Sequence, residues 1–174
     1  MSIKFRDKYP GEVVRALSWK QPYASLMLHG KVETRTWGTK YRGWVLICAS
    51  KARYSWEEIL SISGFSQLNR IRQELDLFDL GDRFRGDKDS TIFLTGKAIA
   101  IGYLKDSRPM GSLVGDRVVT LTGLHVENIS FVKIDYNLFL HEYMDVQAIV
   151  PFDWKGTQGW KTLDSETLDK IVIV

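Results

Sequence analysis

Hydrophobic positions divide this chain into strand-like runs with a few helical patterns between them. Residues 13–17 show a two-residue alternation, whereas residues 44–49 are apolar on both faces. Alternation is typical of a half-buried strand, and a continuous apolar run is typical of a strand buried on both sides. Further strand-like runs are 91–104, 117–124, 146–150 and 171–174.

The helical patterns lie in the first half of the chain. Pro22 suits the first turn of a helix and Gly30 suits the position just after one, so we predict a helix between them. Ser55 and Glu58 form an S-x-x-E capping box that begins a second helix, and Gly64 ends it. A third helix is predicted by apolar residues at helical spacing, namely Leu68, Ile71, Leu75 and Phe78.

These elements predict an α+β fold, a mixed and partly closed β-barrel that is flanked by helices and carries a helical insertion around residues 55–80. A length of 174 residues favours a single domain, which we place at 12–174. Residues 1–11 are polar and end in Pro-Gly, so we expect a flexible lead-in. The N-terminus lacks the apolar region of a signal peptide, and no apolar run is long enough to span a bilayer.

Composition narrows the chemistry further. Cys48 is the single cysteine, which excludes an internal disulfide and a multi-cysteine metal site. The histidines lack ligand spacing, and we expect the one acidic cluster beside a histidine, His141 with Glu142 and Asp145, to be a surface loop. We therefore predict a cytoplasmic protein with no cofactor, no bound metal and no membrane contact. The sequence leaves the oligomeric state open.

Charge is distributed unevenly. The net charge is only +3, yet residues 1–53 contain 11 Lys or Arg against 3 Asp or Glu, while the remainder contains 13 against 18. A basic segment favours an anionic partner such as nucleic acid. The alternative is an ordinary basic surface beside an acidic insertion, and charge alone does not decide between them.

The basic segment includes an extended stretch, 31–37, whose polar and aromatic side chains share one face. Alternation places Lys31, Glu33, Arg35 and Trp37 on the same side, which suits the wall of a cleft. A solvated edge strand, with an ion pair from Glu33 to Arg35 or Lys31, is the other interpretation.

Several segments in order carry a resemblance to a known family. They are L-S-W-K-Q-P-Y-A-S at 17–25, G-K-V-E-T-R-T-W at 30–37, Y-R-G at 41–43, A-S-K at 49–51, G-K-A-I-A-I-G at 96–102 and K-G-T-Q-G-W at 155–160. Together they resemble the ASCH domain, a family within the PUA-like β-barrel superfamily. Two departures stand out. One residue is missing before Val32-Glu33, which leaves the position of Lys31 open, and Cys48 replaces a frequent His.

The resemblance implies a PUA-like barrel that binds RNA in a cleft beside it. Some small members resemble amidohydrolases of an acylated cytidine nucleoside, with a Lys, a Thr and a Glu as proposed catalytic groups, and at least one other member is reported as a ribonuclease. The amidohydrolase type has Thr where this chain has Glu33, so that catalytic set does not transfer residue by residue. Fold and family do not by themselves fix function.

The side chains of these motifs suit a nucleotide. Aromatic rings offer stacking surfaces, lysine and arginine meet phosphates, and Glu33 or Gln158 can read a base edge. Core packing is the alternative role for the tryptophans. The predicted ligand-binding residues are Lys20, Gln21, Pro22, Ser25, Glu33, Arg35, Trp37, Lys51, Gln158 and Trp160.

Three function classes follow from these patterns. The first is a domain that binds RNA or a modified nucleotide or nucleoside. The second is a hydrolase of a modified nucleoside or of single-stranded RNA, in which Glu33, Lys51 and Lys20 transfer protons without metal or thiol. The third is a protein-interaction adaptor that uses the helices of residues 55–90.

Overall fold

The computed structural model describes residues 1–75, 94–112 and 130–174. Within these ranges, eight strands form one mixed sheet that curls into a half-barrel, accompanied by a few helices. The strands are β1 (Ile3–Lys4), β2 (Val14–Gln21), β3 (Glu33–Arg35), β4 (Gly43–Arg53), β5 (Lys97–Pro109), β6 (Phe139–Asp153), β7 (Lys161–Thr162) and β8 (Val172–Ile173). The α-helices are α1 (Phe5–Lys8), α2 (Tyr23–Leu26), α3 (Trp56–Glu74) and α4 (Ser165–Asp169), and Met27–His29 and Met110–Ser112 are 3₁₀ turns.

The sheet has the strand order β1-β8-β6-β5-β4-β2-β7, and β3 pairs with β6 off this path. Strands β2 and β4 run parallel, whereas the other pairs are antiparallel. The α+β class predicted from the sequence is therefore confirmed. The short strand β3 closes over one end of β6, which brings the 31–37 segment beside the end of β2.

Strand β4 packs on both faces, as its continuous apolar sequence predicts. Val45 and Ile47 belong to a buried cluster that includes residues of α2 and α3. Leu46 and Cys48, which alternate with them, belong to a second cluster that includes Phe5 and residues near the C-terminus. Helices thus cover one face of the sheet, and the two ends of the chain cover the other.

The helix signals in the sequence are confirmed where the structure describes them. α2 and its 3₁₀ turn lie between Pro22 and Gly30. The capping box at α3 is complete, because the Glu58 N–H donates to Ser55 Oγ and the Ser55 N–H donates to Glu58 Oε2. Gly64 interrupts α3 with φ 76° and ψ 168°, a backbone conformation that glycine alone adopts readily. Phe78 and the predicted strand 117–124 lie outside the described residues.

The first residues are part of the fold, unlike the flexible lead-in that their polarity predicts. Strand β1 pairs with β8, and the Phe5 N–H donates to the Ile171 carbonyl at 2.9 Å. The Phe5 ring is fully buried, with its centroid 5.3 Å from that of Trp44 and 5.1 Å from that of Tyr9. One apolar side chain in a charged segment is enough to anchor it, because β4 presents an apolar face there.

The expected surface loop at residues 141–145 is also corrected. His141 and Glu142 lie inside β6, and His141 is completely buried. The pairing of β6 with both β3 and β5 puts this stretch between two neighbours, which sequence periodicity did not indicate. No helix among the described residues is both long and apolar enough to cross a membrane.

Burial of Phe5 gives a stability prediction. Replacement of Phe5 with Ala should lower the free energy of unfolding by about 3–5 kcal/mol, since the deletion leaves a cavity against Trp44. Urea unfolding measures this change. Ile3→Ala is the control, because Ile3 is 40% exposed and its replacement should cost less than about 1 kcal/mol. Equal, small effects of both substitutions would mean that the segment is a lead-in after all.

Candidate functional site

A pocket of about 430 Å³, here called the central pocket, opens where β2 ends beside β3 and the loop 157–159. The motif segments that lie far apart in sequence meet in its wall. Its lining residues are Leu17, Ser18, Trp19, Lys20, Tyr23, Lys31, Glu33, Thr34, Arg35, Trp37, Ser50, Tyr54, Ile62, Val132, Thr157, Gln158 and Gly159.

The end of β2 is fixed by the buried amide of Gln21. Its Nε2 donates to the Leu94 carbonyl at 3.0 Å, and its Oε1 accepts from the Ser25 N–H at 3.0 Å. The Gln21 carbonyl accepts from the Tyr54 N–H at 3.1 Å. Both polar groups of this side chain are therefore used within the fold, and Gln21 positions Lys20 and the pocket instead of lining it.

A buried ion cluster forms the floor of the central pocket. Lys31 Nζ lies 3.1 Å from Glu33 Oε2, and Arg35 Nε lies 3.2 Å from Glu33 Oε1. The Lys31 and Glu33 side chains are only 1% and 8% exposed, while Arg35 is 22% exposed. Two cations share one carboxylate, so the cluster leaves one positive charge at the pocket wall. The shortened motif thus still delivers Lys31 into the site.

Burial alters the protonation of the groups around this cluster. Desolvation lowers the pKa of Lys31, and the opposite charge of Glu33 works against that shift. Desolvation raises the pKa of Tyr23 to about 12, and the Tyr23 hydroxyl is hydrogen-bonded to Ser63 Oγ. The pKa of Tyr143, whose hydroxyl oxygen is buried, is raised for the same reason. These phenols stay protonated and neutral at physiological pH.

Aromatic rings and cations alternate around the pocket, as the sequence of the motif predicts. The Arg35 guanidinium lies 5.1 Å from the Trp19 ring centroid and 5.9 Å from that of Trp37. Lys20 Nζ lies 4.7 Å from the Tyr54 ring centroid. Such cation–π contacts hold the cations over the ring faces at the pocket wall.

Three buried polar atoms of the pocket-lining residues have no hydrogen-bond partner within the described part of the chain, namely Trp19 Nε1, Glu33 Oε2 and Arg35 Nε. Two of these atoms belong to ion pairs, because Glu33 Oε2 lies 3.1 Å from Lys31 Nζ and Arg35 Nε lies 3.2 Å from Glu33 Oε1. An unpaired buried group is costly, and each one calls for an explanation such as a bound ligand. Trp19 Nε1 is therefore the buried donor of this set that has neither a hydrogen bond nor an ion pair among the described residues.

A second cavity, here called the lysine pocket, adjoins the first and also measures about 430 Å³. Lys51 and Lys155 line it, and it shares four residues with the central pocket, namely Ser18, Ser50, Thr157 and Gln158. Lys51 belongs to β4 and comes two residues after the last buried residue of that strand, Ala49. This explains its place at the pocket rim.

The structure separates the predicted ligand-binding residues into groups. Lys20, Glu33, Arg35, Trp37 and Gln158 line the central pocket, and Lys51 lines the lysine pocket. Gln21, Pro22 and Ser25 do not line either cavity. Trp160 supports the wall from outside, with its ring centroid 5.9 Å from that of Trp37.

Sequence reasoning missed two features of the site. Tyr54 was not singled out, although it follows the A-S-K motif by three residues. His141 was assigned to a surface loop, yet its Nε2 lies 2.9 Å from the Trp37 carbonyl and its ring packs edge-on against the Trp37 indole. Since a carbonyl accepts, Nε2 carries the proton, and buried Nδ1 has no hydrogen-bond partner among the described residues.

The candidate groups for metal or thiol chemistry are limited. Across residues 1–75, 94–112 and 130–174, no three His, Cys, Asp or Glu side chains are grouped to hold a metal ion. Cys48 is buried in β4, and desolvation raises its pKa, which disfavours the reactive thiolate.

Comparison with known proteins adds no identity. No protein-family model matches this chain. No curated protein matches it significantly either. The interpretation of the site therefore depends on its own geometry and on the chemistry of its residues.

Removal of the Glu33 charge should show how much stability is lost when Lys31 is buried without a counter-charge. Glu33→Gln leaves Lys31 buried without a counter-charge, so we expect the free energy of unfolding to fall by about 3–5 kcal/mol. The double variant Lys31→Met/Glu33→Gln removes both charges and should recover most of that loss. Urea unfolding of the wild type and both variants measures this. A double variant less stable than Glu33→Gln would contradict the pairing.

His141 should make stability depend on pH. Burial lowers its pKa, opposed in part by the hydrogen bond to Trp37 and by Glu33, while Arg35 and Arg42 lower it further. Between the lowered value and the ordinary one near 6.5, the unfolded chain binds more protons, so stability falls as pH decreases through that window. Unfolding curves from pH 8 to pH 5 should show a shallower decline for His141→Gln than for the wild type.

The control for this pH dependence is His29→Gln, because His29 is an exposed histidine whose Nδ1 is 3.7 Å from Glu74. It should keep most of the wild-type decline. An identical decline in the wild type and in His141→Gln would show that His141 does not contribute.

Proposed function

We propose that this chain is an ASCH-type domain with a PUA-like fold that binds RNA or a modified nucleotide or nucleoside. The observation that carries the proposal is a pocket with aromatic walls, a surplus positive charge and a buried indole N–H, that of Trp19, without a partner among the described residues. Its volume of about 430 Å³ falls in the range of small-ligand sites.

The polar groups of Glu33 and Trp19 indicate what kind of base would be recognised. Glu33 Oε2 accepts, so it favours an exocyclic amine, and Trp19 Nε1 donates, so it favours a ring nitrogen or carbonyl. Cytosine and adenine present an amine beside a ring-nitrogen acceptor on the Watson–Crick edge, whereas uracil has no amine. We therefore propose a preference for cytosine or adenine over uracil.

The ASCH assignment is supported by where its motifs lie in space. The segments 17–25, 30–37, 49–51 and 155–160 all contribute side chains to the central pocket, although more than a hundred residues separate the first from the last. The segment 96–102 lies in β5 from Lys97 onward, and β5 pairs with β4 behind the site. Motifs that converge on one pocket are expected when they resemble a family through a shared binding site.

A hydrolase of a modified nucleoside or of single-stranded RNA is the second candidate, and one observation favours it. The ammonium of Lys31 is buried against Glu33 in the pocket, and its pKa is lowered, which is what a lysine needs to exchange protons near neutral pH. Lys20 lies in the same pocket and Lys51 in the adjoining one, so the proposed catalytic groups are Glu33, Lys20 and Lys51, with Lys31 added.

The adaptor hypothesis has less support. It requires an exposed apolar face on the helix that contains Leu68 and Ile71, but both side chains are buried in the main core cluster. Leu75 also packs against that cluster. These three apolar side chains of the helix are therefore used within the domain, although Phe65 of α3 is 70% exposed.

Binding tests the proposal directly. Fluorescence anisotropy with labelled cytosine-rich and uracil-rich single-stranded RNA should show tighter binding to the cytosine-rich strand and loss of affinity with salt. Lys20→Ala/Lys51→Ala should weaken binding to both strands alike and reduce the salt slope by about one per lysine. Trp37→Ala should weaken binding through lost stacking, by about 1–3 kcal/mol.

The charge-matched control is Lys4→Ala/Lys170→Ala, whose lysines are exposed and do not line the pockets. This control should leave the affinity for RNA almost unchanged. Equal losses of affinity in both double variants would show that net charge alone explains the loss, without a role for the pocket lysines. Turnover of cytidine, N4-acylated cytidine and RNA is followed in the same samples with chelator present. Product that disappears in Glu33→Gln would assign the site to the hydrolase, whereas the absence of both binding and turnover would reject the proposed function.

A further inference from the structure

The central pocket is the middle of a longer groove. A third cavity of about 820 Å³, here called the outer pocket, is lined by residues 34–37, Tyr54, residues 61–62 and residues 132–138. It shares the Arg35 and Trp37 wall with the central pocket. The central pocket in turn shares four residues with the lysine pocket. The three cavities are thus contiguous in the order lysine, central, outer.

The lysine pocket has the chemistry of a phosphate site. Two ammonium groups line it, from Lys51 and Lys155, together with hydroxyl groups on its shared wall with the central pocket. A Cβ placed on Gly156 would be 3.4 Å from Ser18 Oγ, so this loop runs close to that hydroxyl. No carboxylate is among its lining residues, and the nearby Asp153 is paired with Lys97. Two cations with hydroxyl donors favour a dianionic terminal phosphate.

The outer pocket has the chemistry of a stacking site. Tyr136 is 55% exposed, and its Cβ would be 3.6 Å from a Cβ on Gly111, so the residue is supported there while much of its surface remains open. The carboxylate of Asp135 accepts from the backbone N–H and the Nδ2 of Asn137, which satisfies it within its own turn. The exposed Tyr136 therefore adds an aromatic surface to this cavity at the side away from Trp37 and Tyr54, which line it where it joins the central pocket.

We propose that the groove binds a dinucleotide segment with a terminal phosphate. The phosphate lies in the lysine pocket, the first base occupies the central pocket, and the second base stacks on Tyr136 in the outer pocket. This inference rests on the proposed function, since it requires a base in the central pocket. It adds a ligand length, a terminal phosphate and a role for residues that lie outside the resembling motifs, Tyr136 above all.

A ligand series tests the proposal on the full chain. The probes are cytidine, its 5′- and 3′-monophosphates, the dinucleotide CpC, and CpC phosphorylated at either end, with Kd measured by calorimetry or competition at fixed salt. We expect one of the two terminal phosphates to tighten binding about tenfold, and the second nucleoside to tighten it by about another tenfold, as single stacking contacts do. The terminus at which a phosphate tightens binding shows the direction in which the bound strand runs.

Two sets of variants assign each gain to its pocket. In Lys51→Ala/Lys155→Ala, the ratio of monophosphate to nucleoside affinity should fall to near one, whereas Lys4→Ala/Lys170→Ala should keep it. In Tyr136→Ala, the ratio of dinucleotide to mononucleotide affinity should fall to near one, whereas Phe65→Ala, an exposed aromatic outside the groove lining, should keep it.

The outcomes separate this inference from the function beneath it. If cytidine binds and neither the phosphate nor the second nucleoside tightens it, the groove proposal is overturned and the central pocket remains a nucleoside site. If the gains occur but survive in both variant sets, the extra contacts lie elsewhere and the proposal is equally overturned. If no probe binds at all, the proposed function itself fails.

Discussion

The shared carboxylate of Glu33 is the constraint on which the site depends. A buried lysine is tolerated only with a counter-charge, and this one has Glu33 at 3.1 Å, with Arg35 on the other oxygen. The three side chains come from alternate residues of one extended segment, so they lie on the same face. That geometry holds β3 in register over the pocket and leaves a net positive charge in an aromatic cavity. An ion cluster of this kind fixes the positions of its side chains more than it adds to the stability of the fold.

Strand β4 gives the cluster a rigid frame. Its side chains alternate between the two cores, so the strand is fixed from both faces, and Lys51, near its C-terminal end, is placed accurately. The parallel neighbour β2 ends beside it, held by the buried amide of Gln21. Two strand ends side by side create the depression that becomes the central and lysine pockets, and β3 closes over it from the direction of β6.

The site also shows how one residue type takes different roles by position. Lys31 is buried and ion-paired, Lys20 lies over the Tyr54 ring, and Lys51 lines the rim of a second cavity. Burial lowers the pKa of Lys31. The basic residues of the segment 1–53 therefore do not form one uniform surface. Lys31 has a structural role, whereas Lys20 and Lys51 are available to a ligand.

Local patterns in the sequence determined the elements whose formation depends on neighbouring residues. The capping box at Ser55, the break at Gly64 and the strand buried on both faces each follow from short-range chemistry, and the alternation at 31–37 predicted one polar face. Tertiary structure alone decided which elements meet. His141 is buried because β6 pairs with β3 on one side and with β5 on the other, Phe5 is anchored because β4 offers it an apolar face, and Gln21 turns inward to bond Leu94 and Ser25. These outcomes depend on contacts between residues far apart in the chain, and the local periodicity of hydrophobic residues does not indicate such contacts.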